Sequence, residues 1–151
     1  MFDLKDLYQE VIIDHSKRPR NFGKLAGANR EAEGYNPLCG DQLTVELILK
    51  DGIVKDVAFE GTGCAISTAS ASLMTDMVRG KTEVEAQEIF RRFQNLVTRK
   101  DPPTEDDLLK LEKLAVLTGV RVFPSRVKCA TLAWHTLAAA LNGREKTVKT
   151  E

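Results

Sequence analysis

Three cysteines, and the aspartate two residues after the first of them, are the candidates of this chain for metal binding or nucleophilic chemistry. Cys39 and Asp41 lie on either side of Gly40 in the stretch NPLCGD, whose proline and glycine indicate a turn just before a strand. Side chains at i and i+2 of an extended chain share a face, and the glycine lets the backbone bend between them. Because thiolates and carboxylates both ligate divalent metals, we expect Cys39 and Asp41 to be able to reach one ion.

The other two cysteines also lie at the boundaries of predicted elements. Cys64 follows Gly-Thr-Gly and opens a helix, and Cys129 falls in the first turns of the last helix. A helix N-terminus favours a thiolate because the helix dipole places partial positive charge there. If the turns and helix starts converge at one end of a sheet, three thiolates and one carboxylate would complete a tetrahedral zinc site.

The residue types alone leave other interpretations open. A free cysteine is often buried as a small apolar side chain, and these three have no C-x-x-C spacing. An odd number of cysteines in a reducing compartment indicates thiols, which could be free, metal-bound or catalytic. We expect His15 and His135 to be structural, since His135 lies six residues after Cys129 and projects from another face of that helix.

Alternating hydrophobicity predicts a small antiparallel sheet before the second cysteine. We predict a weak strand over 28–35 and two stronger strands over 42–50 and 53–60. The dipeptide Asp51-Gly52 between the stronger strands predicts a tight hairpin. The residues predicted to share a face are, for the second strand, Leu43, Val45, Leu47 and Leu49 and, for the third, Ile53, Lys55, Val57 and Phe59.

Helical periodicity predicts one helix before this sheet and four after it. The first lies between Asp3, its cap, and Pro19, its stop. The first of the later helices is predicted over 64–79. The second begins with a T-x-x-E capping box at Thr82 and Glu85 and continues through Val97. The third covers 104–119, after the break at 101–103, and the fourth covers 126–142. This order predicts an α+β fold, with about three antiparallel strands and helices packed on one sheet face.

Composition predicts a single domain over 1–151 with a flexible tail over 143–151. Hydrophobic residues make up 42% and charged residues 29% of the chain, which is ordinary for a globular protein. Lys and Arg number 22, as do Asp and Glu, so nucleic acid and anionic membranes are not expected partners. Without a signal pattern or an apolar run of membrane length, we expect a cytoplasmic protein.

Four segments together resemble the U-type iron–sulfur assembly proteins. Three are cysteine motifs, and the fourth follows the N-terminal helix; they are NPLCGD (36–41), GTGCAIS (61–67), RVKCATLAWHTL (126–137) and HSKRPRNFG (15–23). The resemblance covers nearly the whole chain. Within that family the sequence is most similar to the SufU branch, whose members are zinc-dependent sulfurtransferases that accept sulfur from a cysteine desulfurase.

Three features distinguish this sequence from the IscU scaffold branch. That branch has a histidine ligand directly before the third cysteine, where this chain has Lys128. It also has a Leu-Pro-Pro-Val-Lys chaperone-recognition motif, where this chain has FPSRVK at 123–128. The additional helical stretch at 90–119 agrees with the longer segment between the second and third cysteines of the SufU branch.

The resemblance implies specific residue roles and partners. Zinc would be bound by Cys39, Asp41, Cys64 and Cys129, and Cys39 would accept the sulfur. Arg126 would assist the thiolate or the contacts with the partner, unless it is only a solvated arginine at a helix start. The partners implied are a SufS-type cysteine desulfurase and downstream iron–sulfur assembly proteins. The alternatives are a scaffold that assembles a [2Fe–2S] cluster on the same residues and a non-enzymatic domain held together by structural zinc. A cysteine hydrolase is disfavoured because neither histidine has a motif that pairs it with a cysteine.

Overall fold

A computed structural model describes residues 4–143 and 147–149, so the predicted cap Asp3 lies outside the described residues. Within these residues the chain forms five α-helices, one long 3₁₀ segment and four strands. In chain order they are α1 (Leu4–Lys17), β1 (Arg30–Asn36), β2 (Asp41–Lys50), β3 (Ile53–Thr62), α2 (Ala65–Val78), α3 (Glu83–Thr98), α4 (Glu105–Leu111), the 3₁₀ segment (Glu112–Val122), α5 (Pro124–Asn142) and β4 (Thr147–Lys149). The predicted α+β class is confirmed.

The strands form one mixed sheet in the order β3-β2-β1-β4. The antiparallel pairs β1–β2 and β2–β3 agree with the prediction, and the β2–β3 turn has positive φ at both Asp51 (54°) and Gly52 (75°). The prediction of a frayed tail is wrong for residues 147–149, because β4 pairs in parallel with residues 33–35 of β1. The remaining tail residues after Gly143 lie outside the described part of the chain.

The predicted face of β3 is wrong at its start. Ile48 pairs with Asp56 and Leu49 pairs with Val54, so Lys55 is an extra residue in the ladder, a β-bulge. The bulge reverses the alternation of side chains, because the sheet period is two residues. Val54 therefore joins Val57 in the core, whereas Lys55 is exposed.

Helices α2 and α5 cover one face of the sheet, as predicted, and α1 packs on α2. Small residues allow these close approaches: a Cβ added at Gly34 of β1 would lie 2.1 Å from Thr136 Oγ1 of α5. The Ser70 hydroxyl of α2 donates a hydrogen bond to the Ala130 carbonyl of α5. The two helices that carry Cys64 and Cys129 are thereby held against each other and against β1.

The predicted helix over 104–119 is only partly correct. Thr104 caps α4 through a capping box with Asp107, but α4 ends at Leu111. Glu112 has a φ of 54°, and the backbone continues as the 3₁₀ segment. The segment persists because its apolar residues, including Leu114 and Leu117, are fully buried against neighbouring helices. Among the described residues, none of the helices combines the length and apolar character needed to cross a bilayer.

Candidate metal centre

The turn between β1 and β2 carries Cys39 and brings two polar side chains into the interior. Asn36 and Asp41 are directly opposite each other at the last pair of the β1–β2 ladder, on the face that holds Leu43 and the core. Both are buried, at 0% and 1% exposure. Cys39 is exposed in the intervening turn, so its proximity to Asp41 comes from this turn and not from the strand alternation that we expected.

Cys64 is the N-cap of α2, where the sequence predicts a helix start. Its Sγ accepts a hydrogen bond from the Ser67 backbone N–H at 3.4 Å. Its own backbone N–H donates to Asp41 Oδ1 at 2.8 Å, and its Sγ lies 3.9 Å from Asp41 Oδ2. The positive end of the α2 dipole therefore faces both the Cys64 thiol and the Asp41 carboxylate.

Cys129 lies in the second turn of α5 and is buried, at 3% exposure. Its Sγ is 3.4 Å from Cys39 Sγ, far beyond disulfide bonding distance. Ligand atoms of Cys39, Asp41 and Cys129 all lie within 4.8 Å of one another. Cys64 is outside that group but lies beside it through its contact with Asp41.

The spacing of Cys39, Asp41 and Cys129 fits one tetrahedral ion, and Cys64, beside Asp41, would supply the fourth ligand. Zinc–sulfur bonds of about 2.3 Å at a tetrahedral angle place two thiolate sulfurs about 3.8 Å apart. The separation of Cys39 and Cys129 is 3.4 Å, so a slight opening of the turn would seat both sulfurs on one metal. The residues that could hold it are Cys39, Asp41, Cys64 and Cys129.

The electrostatics of Cys129 also fit a site that needs a cation. Burial raises the pKa of the Cys129 thiol, and its hydrogen bonds with Cys39 and Asp41 raise that pKa further. Negative charges held this close together repel one another unless a positive charge compensates them. A divalent cation reverses this balance, because coordinated thiols lose their protons.

The contacts recorded for the other candidate side chains are with residues outside this group of donors. Arg126, in the first turn of α5, is exposed, and its guanidinium carbon lies 4.5 Å from the centroid of the Phe123 ring. His15 Nδ1 is 2.7 Å from the Ser72 hydroxyl, and the His135 ring meets the Phe90 ring edge to face. These contacts agree with the structural roles expected of His15 and His135, and the assisting role of Arg126 stays a prediction.

Sequence reasoning missed three residues that shape the centre. The Asn36 side-chain nitrogen is 3.4 Å from Cys129 Sγ and 3.5 Å from Asp41 Oδ2. Gly63 has no room for a side chain, since an added Cβ would lie 2.9 Å from Asp41 Oδ1. Ser67 supplies the N–H to Cys64. Their positions inside the NPLCGD and GTGCAIS motifs were the available signal.

The NifU-like N-terminal domain family model matches residues 7–150, nearly the whole chain. The chain belongs to the NifU-like N-terminal domain family. All three cysteines and Asp41 fall inside the matched region, so the candidate centre lies within the family domain.

Similar proteins from this family carry two kinds of name. The chain is 42% identical over 138 residues to the iron–sulfur cluster assembly scaffold protein IscU of Streptococcus pyogenes, covering 91% of this chain and 84% of that protein. It is 42% identical over 135 residues to the zinc-dependent sulfurtransferase SufU of Bacillus subtilis, covering 89% of each.

Solved structures agree with the fold. A putative scaffold protein for the SUF system from Fervidobacterium islandicum superposes with a TM-score of 0.78 at 37% identity, covering 92% of this chain and 99% of that one. A NifU-like N-terminal protein from Brucella abortus gives a TM-score of 0.80 at 26% identity, covering 93% and 95%. The α+β architecture is therefore the family fold.

Proposed function

We propose that this protein is a zinc-dependent sulfurtransferase that accepts persulfide sulfur from a cysteine desulfurase for iron–sulfur cluster biogenesis. The observation that carries the proposal is the contrast between two neighbouring sulfurs. Cys39 is exposed in a turn, whereas Cys129, 3.4 Å away, is buried in α5. A sulfur acceptor needs one thiol that a partner can reach and other ligands that keep the site assembled when that thiol reacts.

Zinc, held by Cys39, Asp41, Cys64 and Cys129, would keep the thiols deprotonated and tie the β1–β2 turn to the two helices. This role agrees with the raised pKa of the Cys129 thiol, which without a cation favours its protonated form. It also agrees with the name of the Bacillus subtilis relative.

The transfer step conserves atoms and electrons. The Cys39 thiolate, released from its neighbours, attacks the outer sulfur of the partner's cysteine persulfide. The sulfur–sulfur bond of that persulfide breaks, and the partner's cysteine leaves as a thiolate. Cys39 then carries the persulfide, and no external oxidant or reductant is required.

The partner in this proposal is a SufS-type desulfurase that performs the pyridoxal phosphate chemistry, so this chain needs no organic cofactor. The desulfurase would approach the turn between β1 and β2, where Leu38 beside Cys39 is 67% exposed. Arg126 would assist at the same end of the molecule. Downstream iron–sulfur assembly proteins would receive the sulfur, and the pathway would be cytoplasmic.

A scaffold that assembles a [2Fe–2S] cluster is the second candidate, because relatives with 42% and 39% identity are named scaffold proteins. Cluster assembly needs ligands spread around two iron atoms. Here the ligand atoms of Cys39, Asp41 and Cys129 lie within 4.8 Å of one another, a spacing suited to one ion. Lys128 also stands where the scaffold branch has its histidine ligand.

Elemental analysis of the purified protein, combined with desulfurase turnover, tests the proposal. We expect one zinc per chain, no visible cluster absorption, and a desulfurase rate that rises when the protein is added. A stable iron–sulfur spectrum without stimulation would support the scaffold instead. Bound zinc without any sulfur transfer from a desulfurase would support a structural zinc domain.

A further inference from the structure

Asn36 carries a fully buried side-chain amide that lies beside two of the candidate ligands. It ends β1 at 0% exposure. Its side-chain nitrogen lies 3.4 Å from Cys129 Sγ and 3.5 Å from Asp41 Oδ2. Its side-chain oxygen is buried without a hydrogen-bond partner among the described residues.

A buried amide with an unpartnered oxygen is unfavourable for folding, and a leucine, which branches at the same carbon, would avoid that cost. What this arrangement provides in return is the two N–H groups of the Asn36 side chain, which can donate hydrogen bonds to the candidate ligands. An ionised carboxylate and a thiolate act only as acceptors, so both can accept from the amide nitrogen of Asn36. Hydrogen bonds of this kind orient metal ligands and strengthen their binding.

The contacts of the four candidate ligands are unequal. Cys129 and Asp41 contact the Asn36 amide, and Asp41 also accepts from the Cys64 backbone. Cys64 accepts from the Ser67 backbone N–H at the start of α2. Cys39, in the exposed turn, donates its backbone N–H to the Asn36 carbonyl at 3.3 Å, and its sulfur contacts the sulfur of Cys129. The donor atoms of three ligands are thus braced by other groups of the protein, whereas the sulfur of Cys39 contacts another ligand.

We propose that Asn36 is a positioning residue that makes Cys129 and Asp41 the fixed ligands of the metal centre, so that Cys39 is the ligand that leaves. This inference rests on the zinc-dependent function proposed above. Asn36 does not react in this mechanism. It determines which thiol becomes available, because it keeps the two buried ligands in place when Cys39 departs.

Asn36→Leu tests the inference, with Asn29→Leu as the matched control. The Asn29 amide makes two backbone hydrogen bonds of 2.8 Å with Leu49, at the end of β2 opposite the centre. In chelator competition we expect Asn36→Leu to weaken zinc binding about 10- to 100-fold, as for other residues that brace metal ligands. Asn29→Leu should leave zinc affinity within about threefold of the unmodified protein, since it is remote from the ligands.

Two further readouts separate positioning from a general structural role. The metal-free Asn36→Leu protein should be at least as stable to urea as the metal-free parent, because it buries no unpartnered amide. With cobalt in place of zinc, its thiolate-to-metal absorption bands should change, whereas those of Asn29→Leu should not. Should Asn36→Leu fail to fold, Asn36→Ala is measured in the same way.

Alkylation of the zinc-loaded protein identifies the leaving ligand. In the parent, peptide mapping should find Cys39 modified first and Cys129 last. In the Asn36 variants, Cys129 should react much earlier. Unchanged zinc affinity and an unchanged order of alkylation would overturn this inference alone. A parent protein that binds no zinc would overturn the proposed function and this inference together.

Discussion

Asp41 and Cys64 are joined by a hydrogen bond that uses one carboxylate oxygen of Asp41 and leaves the other facing the thiols. Asp41 Oδ1 accepts from the Cys64 backbone N–H at 2.8 Å, and Oδ2 faces the thiols, 3.9 Å from Cys64 Sγ. The first oxygen fixes the end of β2 to the start of α2. The second oxygen remains available as a ligand.

This division predicts different results for two substitutions of Asp41. Asp41→Asn keeps a carbonyl oxygen for the Cys64 N–H but loses the charge, whereas Asp41→Ala loses both. We expect both to lower zinc affinity by at least about tenfold, the loss that outer contacts alone produce at metal sites. Only Asp41→Ala should also destabilise the metal-free protein, by about 1–3 kcal/mol, because it leaves the N–H unpaired. Chelator competition and urea denaturation measure the two effects. Full zinc retention by Asp41→Ala would remove Asp41 from the ligands.

Cys39→Ala should abolish sulfur transfer without unfolding the protein. Cys39 is exposed in a turn, so its removal should change the unfolding free energy of the metal-free protein by less than about 0.5 kcal/mol. Transfer of labelled sulfur from a desulfurase measures the loss. Leu38→Ala, which alters the neighbouring exposed residue and keeps the thiol, is the control for acceptance from a small-molecule persulfide. Acceptance of sulfur by Cys39→Ala at the normal rate would refute the assignment of the acceptor.

Gly63→Ala should disturb the centre through Asp41. The added Cβ would lie 2.9 Å from Asp41 Oδ1 and 3.3 Å from Ser67 Cβ, so the carboxylate must move. We expect lower zinc affinity and a loss of about 1–3 kcal/mol in the unfolding free energy, as for other overpacked sites. Gly119→Ala, which meets no atom within 4 Å, is the control. Equal zinc affinities for the two variants would show that the Asp41 position tolerates displacement.

The two histidines should make the folding stability of the metal-free protein depend on pH. Burial lowers the pKa of His15 below its ordinary value of 6.5; the charge of Arg20 lowers it further, as does Lys113, while Asp76 and Asp14 oppose the shift. Burial lowers the pKa of His135 as well. The unfolded chain therefore binds more protons than the folded chain just below pH 6.5, and stability falls as the pH falls through this range.

Urea denaturation between pH 7.5 and 5.5, with chelator present, measures this slope. His15→Gln should have a shallower slope than the parent protein, because it removes one of the two groups. Combining it with His135→Gln should flatten the slope further. A slope unchanged in the double variant would assign the pH dependence to other groups.

Local chemistry made much of the fold predictable from the sequence. The Asp51-Gly52 turn, the capping box at Thr82 and the helix start at Thr104 depend on neighbouring residues, and all three are present. The bulge at Lys55 and the strand β4 depend on pairing with distant residues, which periodicity does not record. The α4 helix stops early for the same reason, since burial of the 3₁₀ segment outweighs helical propensity.

In the candidate centre, too, some features follow from the residues themselves and others depend on distant parts of the chain. Its thiols and carboxylate were predicted from residue type, because few side chains ligate zinc. Asn36 was not predicted, since an asparagine beside a proline ordinarily indicates only a turn. Its significance depends on the ladder pair with Asp41 and on the approach of α5 to β1, which are long-range features.

The long stretch of chain between Cys39 and Cys129 would link the degradation of the protein in the cell to metal binding. An ion that joins these residues closes a loop of about 90 residues, as a disulfide would, and restricts the unfolded chain correspondingly. Resistance to proteolysis would then rise and fall with the local supply of zinc, through mass action. Copies that had lost the ion would be the ones degraded first, so scarcity would reduce the abundance of the protein as well as its activity.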